Sequence, residues 1–291
     1  MTLLVQSPAK LNLFLHITGR RADGYHTLQT LFQFVELHDS LEFSVTDDGK
    51  ILLDSPIKGL APGDNLIEKA AALLQRHSRC TQGAHIKLTK RLPMGGGMGG
   101  GSSNAASTLV ALNQLWQTGL NKQQLSDLGL QLGADVPIFI HGHCALATGV
   151  GEAFENVEIE QPWYLIAMPN CHADTRELFQ QKQLTRDSKE IRIRDFLEGA
   201  GHNDFEPVLR KRFPLIDRCL NLMSTEGKPK VTGSGASLFM ACQSQTAAEQ
   251  IERKLKQKQA DFQLTDHDVK WVVTRGCNRS LLYSGDLAKA G

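Results

Sequence analysis

Strand-like and helix-like segments are interspersed along this chain, which predicts an α+β or mixed α/β layer architecture. Short or alternating apolar runs supply the strands, at 3–5, 10–17, 28–37, 84–90, 163–168, 238–242 and 269–274. Between them, apolar residues recur at helical spacing. At 291 residues the chain amounts to about two domains of ~150 residues. Its 41 % hydrophobic and 22 % charged residues are ordinary globular usage, which excludes a disulfide-stapled mini-protein and extended disorder.

Taken in order, residues 10–17 alternate strictly. Leu11, Leu13, Leu15 and Ile17 point one way and Lys10, Asn12, Phe14 and His16 the other, as in a half-buried strand. Lys10 and Asn12 therefore share a face. Asp23-Gly24 marks a turn just before Tyr25 and His26, and 28–37 is extended. Asp64 or Asn65 caps a helix over 66–76, whose stripe is Leu66, Ile67, Ala70, Ala71 and Leu74. Ala105, Leu109, Leu112 and Trp116 place a helix over about 103–117, and an Asn121-capped helix runs to Gly133. Residues 136–140 and 144–150 are short apolar segments. A polar stretch at 155–161 then precedes the strand at 163–168, and the domain boundary is placed there, giving 1–158 and 159–291. Further helical patterns cover 205–212, 216–223 and 246–257.

Thirty-two basic against 31 acidic residues leave a net charge of +1, so nothing global points to nucleic acid or an anionic membrane. No obligate protein partner is inferred either. Six cysteines occur without a Cys-x-x-Cys pair or a signal-peptide pattern, which predicts reduced thiols and a cytoplasmic protein. His141-Gly142-His143-Cys144 lacks a second pair at zinc-like spacing and reads as structural rather than metal-binding. Residues 92–121 contain no Asp, Glu, Lys or Arg, yet glycines and polar residues interrupt them too often for a membrane span.

That uncharged stretch opens with the most informative sequence in the chain, Pro93-Met94-Gly95-Gly96-Gly97-Met98-Gly99-Gly100-Gly101-Ser102-Ser103. Glycine at six of the seven positions 95–101 lets backbone N–H groups converge on one point, and the helix that follows aims its positive end there. A polyphosphate is the ligand such a loop fits. Ser102 and Ser103 add hydroxyls for phosphate oxygens or magnesium. No Gly-Lys-Ser/Thr follows, so this is not a Walker A loop. A dinucleotide-binding loop needs a strand leading straight in and an acidic residue about 20 positions on, and neither is present.

With Pro8-Ala9-Lys10-Leu11-Asn12-Leu13 and Thr232-Gly233-Ser234-Gly235-Ala236, the loop resembles the three motifs of the GHMP small-molecule kinases. Ala22-Asp23-Gly24-Tyr25-His26 and Leu132-Gly133-Ala134-Asp135-Val136-Pro137 resemble the members that act on a cytidine diphosphate-linked methylerythritol. The resemblance implies a two-domain α+β GHMP kinase fold. Its N-terminal domain would be like ribosomal protein S5 domain 2 and its C-terminal domain ferredoxin-like. It also implies ATP, with Mg2+ as the ATP complex, and transfer of a phosphoryl group to an alcohol.

By the same resemblance Asp135 is the catalytic base and Lys10 its cationic partner. Pro93 to Ser103, Asn65 and Lys90 hold ATP. Asn12, Tyr25, His26, Thr175, Phe179, Gly233, Ser234 and Gly235 hold the substrate. Read without it, Asp135 is equally a turn residue, Lys10 and Lys90 solvated charges, Asn65 a helix cap, Tyr25 loop packing and Phe179 core. A kinase of another alcohol, such as homoserine or mevalonate, and a non-catalytic nucleotide-binding module are the remaining readings.

Overall fold

The computed structural model describes residues 2–22, 24–54, 63–284 and 287. Asp23, half of the expected turn, lies outside the described residues. The first two segments of the sequence merge into one strand, β1 (Thr2–Arg20), which pairs antiparallel with β2 (His26–Thr46) along nearly its whole length. The half-buried strand expected at 10–17 is instead buried on both faces. Two causes act together. Register shifts between Asn12 and Leu15 and between Ile17 and Gly19 break the alternation. The free side of β1 is also covered by the segment around 203: Leu15 N–H donates to the His202 carbonyl (2.8 Å), and Ile17 N–H to the Asp204 carboxylate (2.6 Å).

β3 (Ile51–Leu53) and β4 (Gly83–Thr89) lie parallel, joined by α1 (Leu66–Ser78), and β4 adds to the far half of β2. The Asn65 side chain caps α1 by accepting from Ile67 N–H at 3.0 Å. The next helix, α2 (Gly100–Leu115), begins three residues earlier than its apolar pattern suggests. Gly99, at φ +72°, is the cap, and the last glycines of the run are its first turn. α3 (Lys122–Leu132) opens on an Asn121–Gln124 capping box. The apolar segment at 136–140 is a short helix, α4 (Val136–His141). β5 (Ala145–Thr148) and β6 (Ala153–Asn156) follow, β5 returning to β2.

Beyond β7 (Trp163–Pro169) come α5 (Thr175–Phe179), α6 (Ile193–Leu197), α7 (Glu206–Arg212) and α8 (Pro214–Met223). Then follow β8 (Lys230–Val231), β9 (Leu238–Cys242), α9 (Gln245–Lys258) and β10 (Val269–Cys277). Their sheet runs β10-β7-β9-β8, every pair antiparallel. That order, with helices between the first and second and between the third and fourth strands, is the ferredoxin-like arrangement.

One apolar cluster joins α1 to α4 to β1, β2, β4 and β5, and a second joins α7, α8 and α9 to β7, β9 and β10. Neither respects chain order. Leu15 and Ile17 belong to the second, whereas Leu282 and Leu287 belong to the first. β10 pairs with β7 and also touches β2, so one 10-stranded sheet runs through both. Among the described residues no helix is long and apolar enough to cross a membrane, and all six cysteines are free.

The two halves also meet backbone to backbone. A Cβ on Gly97 would lie 2.2 Å from the Thr232 carbonyl oxygen, and one on Gly235 would lie 2.0 Å from Gly97 N. Ser237 N–H donates to the Gly96 carbonyl (3.0 Å) and Lys10 N–H to that of Met98 (3.1 Å). Since Gly97 also sits at φ +75°, Gly97→Ala is expected to destabilise the fold by about 2–4 kcal/mol in urea unfolding. In Gly101→Ala the new methyl meets only Leu66 Cδ1 at 3.5 Å, so the urea midpoint should hold or rise, by less than about 1 kcal/mol.

The buried imidazole of His16 gives a second expectation. Nδ1 donates to the Lys189 carbonyl (2.9 Å) and Nε2 accepts from His202 N–H (3.3 Å), which fixes the neutral form. Burial, foremost, lowers its pKa from the usual 6.5. The unfolded chain therefore binds the proton first, so this contribution to stability is complete above about pH 6.5 and fades as pH falls through the folded value. Urea midpoints should decline from pH 7.5 to pH 5, and less steeply in His16→Gln.

Candidate active site

A cleft of about 1890 Å³ lies between the two halves. Single-ligand pockets are commonly some 300–1,000 Å³, so this one has room for two reactants. Its walls include Lys10 and Asn12 of β1, the glycine run, the start of α2, Asp135 before α4, and Thr175, Phe179, Gly233 and Ser234 from the other half.

At its centre, Lys10 Nζ donates to Asn12 Oδ1 (2.6 Å), lies 3.2 Å from Asp135 Oδ2, and faces the Phe32 ring at 5.1 Å. Lys10 is only 2 % exposed, far from a solvated surface charge. Asn12 is pinned in turn: its Nδ2 donates to Thr30 Oγ1 (2.8 Å), and its backbone N–H donates to Thr232 Oγ1 (2.9 Å). Asp135 stands at the N-cap position of α4 yet makes no cap hydrogen bond. Its side chain, 39 % exposed, faces Lys10 and the cleft.

Beside this cluster the α2 N-terminus opens into the cleft at Gly100, Gly101 and Ser102, with no acidic residue in the first turn. The glycines leave that end bare, as an anion-binding helix end requires. Three residues assigned to ligand contact sit elsewhere. Met98 is buried in apolar packing, and Ser103 is buried with its hydroxyl 3.1 Å from that of Ser7. Gly235 lies behind the cleft wall, against Gly97. The helix starting at Gly100 explains Ser103, which it directs at Ser7 of β1.

Lys90 is no free surface charge. Its Nζ donates to the fully buried carboxylate of Asp39 at 2.6 Å, which also accepts from Arg91 N–H (2.7 Å), Leu92 N–H (2.9 Å) and Asn104 Nδ2 (3.1 Å). Asp39 thus ties the approach to the glycine run to α2. The amide orientation of Asn104 follows, since its nitrogen must face the carboxylate. Its Oδ1 is buried with no partner among the described residues, and Asn104 lines the same cleft as Asn65, which makes it an acceptor suited to a ligand N–H.

At the opposite end, the rings of His26 and Phe179 stack at 4.7 Å and 19°. A third ring between the two would need centroids roughly 7 Å apart, so His26 and Phe179 form a joint platform, with Tyr25 exposed nearby. Thr175 Oγ1 and Ser234 Oγ meet at 2.5 Å across the cleft wall. Away from the cleft, His141 bonds Asn156 Oδ1 (2.5 Å) and packs on Phe154, and burial, aided by Glu158, pushes the Cys144 thiol up to about 12. These are packing roles, and among the described residues no group of three or more His, Cys, Asp or Glu could hold a metal ion.

Comparison with known proteins bears on this geometry. A model of the GHMP kinases N terminal domain matches residues 65–143, and one of the GHMP kinases C terminal domain matches 182–261. A 4-diphosphocytidyl-2-C-methyl-D-erythritol kinase of Ectopseudomonas mendocina is 47% identical over 97% of this chain and 93% of its own length. The chain belongs to the GHMP kinase family. A Nitrosococcus oceani relative of the same name is 48% identical, over 96% of each chain. The crystal structure of a 4-(cytidine 5'-diphospho)-2C-methyl-D-erythritol kinase superposes with TM-score 0.80 at 27% identity, covering 94% of this chain and 99% of the other. A homoserine kinase from Cytophaga hutchinsonii, at 17% identity, shares the fold with TM-score 0.68 over 96% and 95% of the chains.

In this GHMP kinase the sequence motifs leave out Asp39 and Thr30, and Asn104, which directly follows Ser103, carries no assigned role. No local pattern marks what Asp39 and Thr30 do, because each acts through partners distant in sequence. Asp39→Asn would confront two backbone donors and the Lys90 ammonium with an amide. It should cost about 3 kcal/mol in urea unfolding and weaken ATP binding in calorimetric titration, with the loop approach released.

Proposed function

We propose that the protein transfers the γ-phosphoryl group of ATP to the C2 hydroxyl of 4-diphosphocytidyl-2-C-methyl-D-erythritol, giving the 2-phosphate and ADP. The observation that carries this reading is the Lys10–Asn12–Asp135 cluster beside the bare α2 N-terminus, in a cleft sized for two ligands. Relatives near 47% identity over almost the full chain carry that substrate in their name. The aromatic platform supports a substrate with a flat base, which homoserine or mevalonate lacks.

Asp135 takes the hydroxyl proton as the C2 oxygen bonds to the γ-phosphorus and the bond to the β-γ bridging oxygen breaks. Lys10 holds the carboxylate in place and offsets negative charge on the transferring group. The N–H groups at the start of α2 hold the phosphates, with Asn65 and Lys90 on the ATP side. Ser102 and Asp135 present hard oxygen atoms there, which fit Mg2+ bound with ATP. That ion would supply charge neutralisation.

We assign residues 1–158 to the ATP-binding domain and 159–291 to the second domain; two apolar clusters follow this division except that Leu15 and Ile17 join the second and Leu282 and Leu287 the first. Six free thiols support a reducing, cytoplasmic setting.

ADP release with Mg-ATP and the cytidyl substrate tests the assignment. Asp135→Asn should lower kcat by about 10²–10⁴-fold with substrate KM little changed. Turnover of another alcohol in preference to the cytidyl substrate would overturn the substrate assignment.

A further inference from the structure

Arg186 belongs to none of the motifs, yet its guanidinium is spent at the base-binding end of the cleft. Nε donates to His26 Nε2 at 3.1 Å, Nη1 to the Leu184 carbonyl at 2.8 Å, and Nη2 to the carbonyls of Phe179 (2.7 Å) and Gln181 (2.8 Å). None of these partners is a carboxylate. The side chain clasps the segment after α5 and joins it to the first residue of β2. His26 is held from two directions, by Arg186 in the ring plane and by Phe179 on its face, and Phe179 is in turn wedged edge-on against buried Phe205 at 5.0 Å.

A guanidinium has only donors, so His26 Nε2 must accept, and a neutral imidazole then carries its one proton on Nδ1. We infer that Arg186 is a positioning residue that fixes His26 as the Nδ1–H tautomer and so makes its ring a hydrogen-bond donor toward the base. Burial first, then the neighbouring Arg186 and Arg20 cations, hold the imidazole below its ordinary value of 6.5, which keeps the ring neutral. Given the proposed function on which this rests, the consequence is specificity. A fixed donor matches the ring nitrogen of cytosine, which accepts, and opposes that of uracil, which bears hydrogen.

The test joins NMR of the 15N-histidine-labelled protein, with the His26 signals identified by their loss in His26→Asn, to kinetics of Arg186→Met and Arg186→Lys. In the unaltered protein Nδ1 should carry the proton and Nε2 should be bare. In Arg186→Met the balance should shift toward Nε2–H. There KM for the cytidyl substrate should rise roughly tenfold while KM for ATP holds, discrimination against the uridyl analogue should narrow, and Arg186→Lys should recover part of the loss. An Nε2–H tautomer in the unaltered protein overturns the inference, as does an unmoved tautomer in Arg186→Met or a rise in both KM values together. Should Arg186→Met not fold, the unaltered protein and Arg186→Lys spectra decide. The expected spectra without turnover of the cytidyl substrate would support the Arg186–His26 relation and overturn the substrate assignment instead.

Discussion

The constraint on which the site depends is the close approach of two main chains, where Gly97 meets Thr232 and Gly235 with no room for a single Cβ. A side chain there would push the halves apart and with them the walls of the cleft. The seam also reaches β1, because Lys10 N–H is bound to the Met98 carbonyl and Asn12 N–H to the Thr232 hydroxyl. Glycine at these positions therefore does more than free the backbone to meet an anion. It lets three chain segments converge, so that Lys10, the α2 N-terminus and Gly233–Ser234 face the same space.

Charge is distributed to suit that convergence. The helix end is left without charged side chains of its own, and two lysine–carboxylate pairs flank it. In one, Asp39 is fully buried and saturated by donors, which makes it a fastening for the loop approach rather than a reactive group. In the other the burial is reversed: Lys10 is enclosed and Asp135 reaches the cleft. An enclosed ammonium without a carboxylate would be costly, so Asp135 stabilises Lys10 while keeping an open side toward a reactant. The difference in exposure separates the structural pair from the one able to accept a proton.

How much of this the sequence reveals follows from how local each signal is. The glycine run, the caps at Asn65 and Asn121 and the helices behind them depend on neighbours within a few residues, and those are legible. The strand at 10–17 misleads because its alternation speaks of one covered face, and the second cover arrives from residues 202–204. The start of α2 misleads because glycine carries no apolar signal, so the helix emerges from the run unseen. β3, α5 and α6 span too few residues for any period to show. Motif resemblance points to the cleft wall at Lys10, Asn12 and Asp135. It is silent on Asp39 and Arg186, whose partners are scattered along the chain.

The base-binding end shows why such scattered residues matter. Phe179 is the last residue of α5 and His26 the first of β2, and each belongs to a different half of the molecule. Left alone, two rings on separate segments would have their mutual position set only by the cores behind them. The Arg186 guanidinium bonds both the imidazole and the carbonyl of Phe179 itself, so the two rings are referenced to one planar group. Because Arg186 and Phe179 already hold the imidazole, an incoming base meets a fixed donor edge instead of ordering one, which reduces the entropy lost on binding.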